Sequence, residues 1–92
     1  MEFRFYIDQD TDEPHIHRHN VSEHEVEEIL QRPGEDRPGN EGARVAIGKT
    51  SNGRYLRVIY ALDEISGDIF VITAYELRGK PLTAYMRRRK TK

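Results

Sequence analysis

Ninety-two residues, 36% hydrophobic and 34% charged, allow one small domain in which every strongly apolar segment is needed for the core. The absence of cysteine excludes disulfides and thiolate metal sites and fits a cytoplasmic protein; no apolar run is long enough to span a membrane. The net charge of −1 conceals a split: residues 1–42 carry twelve acidic side chains against four Lys and Arg, a net −8, and residues 43–92 carry four against eleven, a net +7.

Residues 2–7 alternate, with Phe3, Phe5 and Ile7 on one face, and read as a first strand. No charged-then-apolar signal segment precedes them, so a soluble intracellular domain is expected. A polar break follows at 8–13, and Pro14 suits the first position of a short helix through His19. Ser22 stands three residues before Glu25, the spacing of a capping box, and Val21 and Val26 occupy the positions of a hydrophobic staple. Val26, Ile29 and Leu30 have helical spacing, which predicts a helix over 22–31 stopped by Pro33-Gly34. Asn20 suits a left-handed turn between the two helices. Residues 33–42 read as a loop.

Asn52-Gly53 is the preferred pair for a two-residue hairpin turn, which predicts strands at 44–50 and 55–62. Centred there, the hairpin pairs Gly48 with Arg57, Ile47 with Val58 and Val45 with Tyr60. This register gathers Val45, Ile47, Leu56, Val58 and Tyr60 on one face, to be covered by the 22–31 helix, and leaves Ala46, Gly48, Tyr55 and Arg57 on the other. A third strand over 69–75 is apolar on both faces, as expected of a central strand. Residues 81–86 predict a short helix with Leu82, Tyr85 and Met86 inward, and 87–92 are left as a basic tail. The expected fold is one α+β domain over 1–92: a small antiparallel sheet, one or two N-terminal helices packed on one face, and a short C-terminal helix.

Tyr75 at the end of a strand, Tyr85 on the last helix and the basic run from Arg87 suit a phosphodiester backbone with bases stacking beside it. The charge split fits a basic half that meets nucleic acid or an acidic partner; it equally fits two halves that fold together and neutralise each other. Arg57, set beside Tyr55 over small residues, reads either as a phosphate clamp or as an ordinary solvated arginine. His15, His17, His19 and His24 raise a metal reading, with His15 and His19 one helical turn apart near Glu13. No cysteine or HExxH pattern supports it, and no metal or other cofactor is expected. His19 suits acid–base chemistry, or a helix-end interaction with the dipole.

The runs HNVSEHEVEEIL, AIGKTSNGRYLRVIYAL and VITAYEL, followed by Tyr85 and basic residues, resemble the BrnT-like branch of the RelE/ParE toxin superfamily over about residues 8–85, and are also similar to uncharacterised small bacterial domains of the same layout. The resemblance implies a RelE-like sheet, metal-independent ribonuclease activity on messenger RNA, free or on the ribosome, and a cognate antitoxin that covers the site. By the same resemblance His19 takes the place of the histidine at the helix start, Arg54 of the hairpin arginine and Tyr85 of the tyrosine on the final helix. Tyr75 stands where that family often carries arginine, and Arg57 is the cation that would substitute. The expected catalytic set is Arg57, Tyr75, Arg54 and His19, with Lys49, Tyr55, Tyr85, Arg87 and Arg88 contacting RNA. The competing expectation is a noncatalytic module of the same fold that binds a protein or nucleic acid through its basic half.

Overall fold

The capping box forms as the sequence predicts in the computed structural model, which describes residues 2–90. Ser22 Oγ accepts the Glu25 N–H at 3.2 Å, and Glu25 Oε1 accepts the Ser22 N–H at 3.0 Å. Two otherwise unpaired donors are thereby satisfied at the start of α1 (Glu23–Gln31). Val21 and Val26 are both buried, completing the staple. Ahead of α1, His15–His19 forms a 3-10 helix that ends at Asn20, whose φ of 59° is the left-handed turn. Pro14 precedes that helix rather than opening it.

Among the described residues the main sheet has five strands, in the order β1-β7-β6-β5-β4. These are β1 (Phe3–Phe5), β4 (Glu35–Pro38), β5 (Arg44–Lys49), β6 (Tyr55–Leu62) and β7 (Ile69–Glu76). Among the described strands only β1 is parallel to its neighbour, β7; with β1 on one side and β6 on the other, β7 is an interior strand, as its apolar faces suggest. The predicted first strand is shorter than its alternation: Ile7 leaves the sheet, is 45% exposed, and belongs to a two-residue strand β2 (Ile7–Asp8) paired with β3 (Glu13–Pro14). The 33–42 segment is not all loop, because β4 lies in it and pairs with β5. An edge strand of sequence Glu-Asp-Arg-Pro carries no hydrophobic alternation, and charge with a terminal proline is how exposed edges are kept from pairing further.

The hairpin register differs from the sequence expectation by one residue. Ile47 pairs with Arg57, Ala46 with Val58, and Arg44 with Tyr60. The turn holds three residues: the Thr50 N–H donates to Arg54 O at 2.7 Å, and the Gly53 N–H donates to Thr50 O at 3.0 Å. Gly53 sits at φ +90°, the left-handed position that closes three-residue hairpins. Thr50 is 3% exposed, and its hydroxyl accepts the Arg54 N–H at 3.0 Å, so side chain and backbone select this closure together.

Because side chains alternate, the shift moves β5 over completely. Ala46 and Gly48 join Leu56 and Val58 on the face covered by α1, and Val45 and Ile47 join Arg57 on the other. A Cβ at Gly48 would lie 3.2 Å from Ile29 Cδ1, so the small pair at 46 and 48 is what lets α1 approach. The larger core therefore holds Ile16, Val21, Val26, Ile29, Ala46, Leu56, Val58 and Val71, with α1 across the Ala46/Val58 face rather than a Val45/Val58 face.

The last helix, α2 (Gly79–Lys90), is longer than its apolar residues suggest and lies on the side opposite α1, where Tyr85 packs with Ile47 and Leu77. Leu82 and Tyr85 point inward, whereas Met86 is 38% exposed. Of the expected tail, residues 87–90 continue the helix, where cations favour a helix C-terminus, and Thr91 and Lys92 lie outside the described residues. Among the described residues no helix is long and apolar enough to cross a membrane.

Ile29 is fully buried between α1 and the sheet. Ile29→Ala should lower the unfolding free energy by about 2–5 kcal/mol. Urea titration should show this as a lower midpoint at unchanged slope; a loss well under that range would contradict the packing of α1 on Gly48.

Candidate nucleic-acid interface

The sheet face turned away from α1 is organised in rows set by strand pairing. Glu35, Ile47, Arg57 and Tyr75 form one row across β4, β5, β6 and β7. Arg37, Val45, Ile59 and Thr73 form the next. Arg57 thus stands mid-sheet between Ile47 and Tyr75, not over Gly48. Its Nη1 donates to the Tyr75 hydroxyl at 3.4 Å, while its Nε is buried with no hydrogen-bond partner among the described residues. Among the described residues no carboxylate pairs with it directly; Glu35, two strands away in the same row and already paired with Arg88, feels its charge across the sheet.

Aromatic rings extend the row beyond β7. The His19 ring meets Tyr75 edge-on with centroids 6.0 Å apart, and His15 meets His19 at 5.3 Å. Tyr6 closes the line against His15 at 6.0 Å. The Asn20 turn and the 3-10 helix position both histidines along the part of β7 that β1 leaves uncovered. His15 is oriented from behind, its Nδ1 lying 3.4 Å from Asp8 Oδ2. Asp8 also pairs with Arg18, and the Asp10 N–H is the first of the contacts that hold its carboxyl below the ordinary range. Tyr75, Arg57 and His19, three of the expected catalytic residues, therefore form one continuous group.

Arg54, the fourth, faces the opposite side. Its Nη1 donates to Glu25 Oε1 and Oε2 at 2.9 and 2.8 Å and to Asn20 O at 3.0 Å, and Nη2 lies 3.5 Å from Glu76. It ties the hairpin to the α1 capping box and to the Asn20 turn that carries His19. Lys49 and Tyr55 sit at the hairpin end, with Lys49 Nζ 5.6 Å from the Tyr55 ring centre. Tyr55 in turn meets Tyr85 edge-on, and Tyr85 is only 3% exposed, a core residue whose hydroxyl burial pushes up. Arg87 is exposed. Arg88 pairs with Glu35, its Nη2 at 2.9 Å from Oε1, and Arg89 donates to Gly34 O at 2.9 Å. That pairing with Arg88 is the main cause of the lowered Glu35 carboxyl.

Part of the charge split of the sequence is thus spent inside the fold. Arg54–Glu25, Arg44–Asp36 and Arg88–Glu35 each join a basic-half cation to an acidic-half carboxylate. His15 and Tyr6 are absent from the sequence-derived catalytic and RNA-contact set. The alternation of residues 2–7 held a signal for Tyr6, since it sets that ring opposite Phe3 and Phe5. The helical spacing of His15 and His19 held one for their contact. Glu13, the third member of the metal reading, is turned to His17 at 3.2 Å, and among the described residues no group of three or more His, Asp or Glu is arranged to hold a metal.

The model of one protein family, described as Domain of unknown function (DUF4258), matches residues 15–76, more than half of the chain. The chain belongs to the DUF4258 family. Its description assigns no activity. The DUF4258 match spans His15, His19, Arg54, Arg57 and Tyr75, whereas Tyr6, Asp8 and Tyr85 fall outside it. No curated protein matches the chain, and neither does any solved structure.

The Arg54–Glu25 tie gives a pH signature. Burial opposes ionisation of Glu25, but the Ser22 N–H and the Arg54 guanidinium outweigh it and hold the carboxyl below its ordinary 4.5. A group that is a stronger acid when folded contributes fully above its unfolded value and loses that contribution as pH falls through the folded one. Arg54→Met should therefore cost about 1.5–3 kcal/mol at neutral pH, with the deficit shrinking below pH 4.5. Urea midpoints from pH 7 to pH 3 test this; a deficit constant across that range would contradict it.

Proposed function

We propose that this domain is a metal-independent endoribonuclease acting on single-stranded RNA, the toxin of a bacterial toxin–antitoxin pair whose antitoxin covers the Arg57 face. The observation that carries the reading is the continuous Arg57–Tyr75–His19 group, with the Arg57 guanidinium outside any salt bridge among the described residues. The toxin context rests on the resemblance of the helix-start, hairpin and final-strand runs.

RNA carries its own nucleophile, the 2′-hydroxyl, so the protein needs only to orient it, move protons and neutralise charge on phosphorus. His19 accepts the 2′-hydroxyl proton as the oxygen attacks the adjacent phosphorus. Arg57 holds the nonbridging oxygens, where negative charge grows in the transition state. The Tyr75 hydroxyl donates its proton to the departing 5′-oxygen. The products are a 2′,3′-cyclic phosphate and a free 5′-hydroxyl, and a proton exchange with water resets Tyr75 and His19. Tyr6 and His15 offer rings on which flanking bases stack.

Arg57→Ala should lower cleavage of a labelled single-stranded RNA by about a hundredfold or more, the usual cost of losing one transition-state donor. The domain should stay folded, as circular dichroism should verify, because Arg57 is only partly buried and its one hydrogen bond among the described residues is the 3.4 Å contact with Tyr75. Tyr75→Phe and His19→Ala should slow cleavage while retaining binding, and chelators should change nothing. If the parent leaves RNA intact with and without ribosomes, or Arg57→Ala cuts as well as the parent, the noncatalytic interaction module becomes the better account.

A further inference from the structure

We infer that the groove between Arg57 and Arg37 is a base-reading subsite for one nucleotide of single-stranded RNA, an inference that rests on the RNA-cleaving reading above. The groove encloses about 340 Å³ and is lined by Arg37, Asn40, Ala43, Val45, Arg57 and Ile59, among others. Its chemistry is divided in the way a nucleotide is divided. Val45 and Ile59 are paired neighbours on β5 and β6 and make an apolar floor for the flat face of a base. Arg57 and Arg37 stand on β6 and β4, two strands apart and one row offset. At about 4.8 Å per strand they are separated by roughly 10 Å across the sheet, so phosphates on either side of one base meet a cation each. Asn40, in a 3-10 turn between β4 and β5, presents an amide that both donates and accepts, which is what recognition of a base edge requires.

Arg57 belongs to this groove and to the Tyr75–His19 group at once. A strand held at Arg57 by its scissile phosphate therefore places one flanking nucleotide toward the Tyr75 and histidine rings, and the other in the groove. The ring side stacks any base, since every base has a π-face. The groove side discriminates, through a side chain with defined hydrogen-bond polarity. Arg37 lies 3.9 Å from Glu35, but that carboxylate is engaged by Arg88, which leaves Arg37 able to turn to phosphate.

The test separates base reading from cleavage by using 2′-O-methyl octamers of A, C, G or U, which lack the nucleophile. Fluorescence anisotropy of each labelled octamer gives dissociation constants for the parent, Asn40→Ala, Asn40→Asp and Arg57→Ala, all at one salt concentration. The parent should prefer its best octamer over its worst by about tenfold or more. Asn40→Ala should narrow that spread to about twofold, Asn40→Asp should reorder it because a carboxylate only accepts, and Arg57→Ala should weaken all four alike. Asn40 is exposed outside both hydrophobic clusters, so these variants keep the fold, as circular dichroism should verify. A parent that binds the four octamers equally, or Asn40 variants that keep its order and spread, overturns the subsite while the Arg57 effect leaves the RNA reading standing. A parent that binds no octamer overturns both.

Discussion

In the turn at Ser51-Asn52-Gly53 the Thr50 N–H and hydroxyl both bond to Arg54, on its carbonyl and its amide, and Gly53 takes the left-handed conformation that closes the loop. The count of three fixes the parity of β5 against β6, and parity fixes which side chains face water. With an even count, Ile47 would enter the α1 side, Gly48 would lie opposite Arg57, and α1 would meet Ile47 where it now meets Gly48. The same residue that closes the turn, Arg54, reaches back to Glu25 and Asn20. One closure thus sets the sheet register, the seat of α1 and the turn that carries His19.

The two sides of the sheet then do different work. The α1 side is an apolar core in which small residues at 46 and 48 trade volume for helix proximity. The other side is only partly covered, with α2 packing Tyr85 and Leu82 over Ile47 and leaving the β6–β7 end open. Three cations of the basic half, Arg44, Arg54 and Arg88, join it to carboxylates of the acidic half. Arg57 is placed differently: its strand neighbours in the row are Ile47 and Tyr75, and neither takes its charge.

Local signals in the sequence were readable wherever a short-range interaction decides the structure. Ser22 with Glu25, Val21 with Val26, and Asn20 each act within a few residues, and each forms. The hairpin was readable in kind but not in register, because Asn-Gly satisfies a two-residue turn and also supplies the left-handed closing residue of a three-residue one. Only the buried Thr50 side chain separates them, and burial is a tertiary fact. β4 was hidden because an edge strand needs no apolar face, and the length of α2 because its last turn is Arg and Lys throughout. At the candidate site the Arg57, Tyr75 and His19 identities were legible, but their contact was not, since it depends on β7 pairing with β6 and on the 3-10 helix lying along β7. Arg54 was assigned through the resemblance, as the hairpin arginine, which says nothing of the face it takes.

The parallel pairing of β1 with β7 joins residues 66 positions apart, Phe3 with Ile69 and Phe5 with Val71. As the chain emerges during synthesis, Phe3 and Phe5 have no strand to join until β7 has been made, so the sheet closes late and by a long-range contact, the slowest kind to form. Tyr6 donates its N–H to Val71 O, and His15 donates its own to Tyr6 O, so the ring line of the exposed face is strung on that same late pairing. A nascent chain can hold α1 and the β5–β6 hairpin well before Tyr6, His15, His19 and Tyr75 stand in one row. The order of folding therefore leaves the Tyr6–His15–His19–Tyr75 line among the last parts of the domain to be completed.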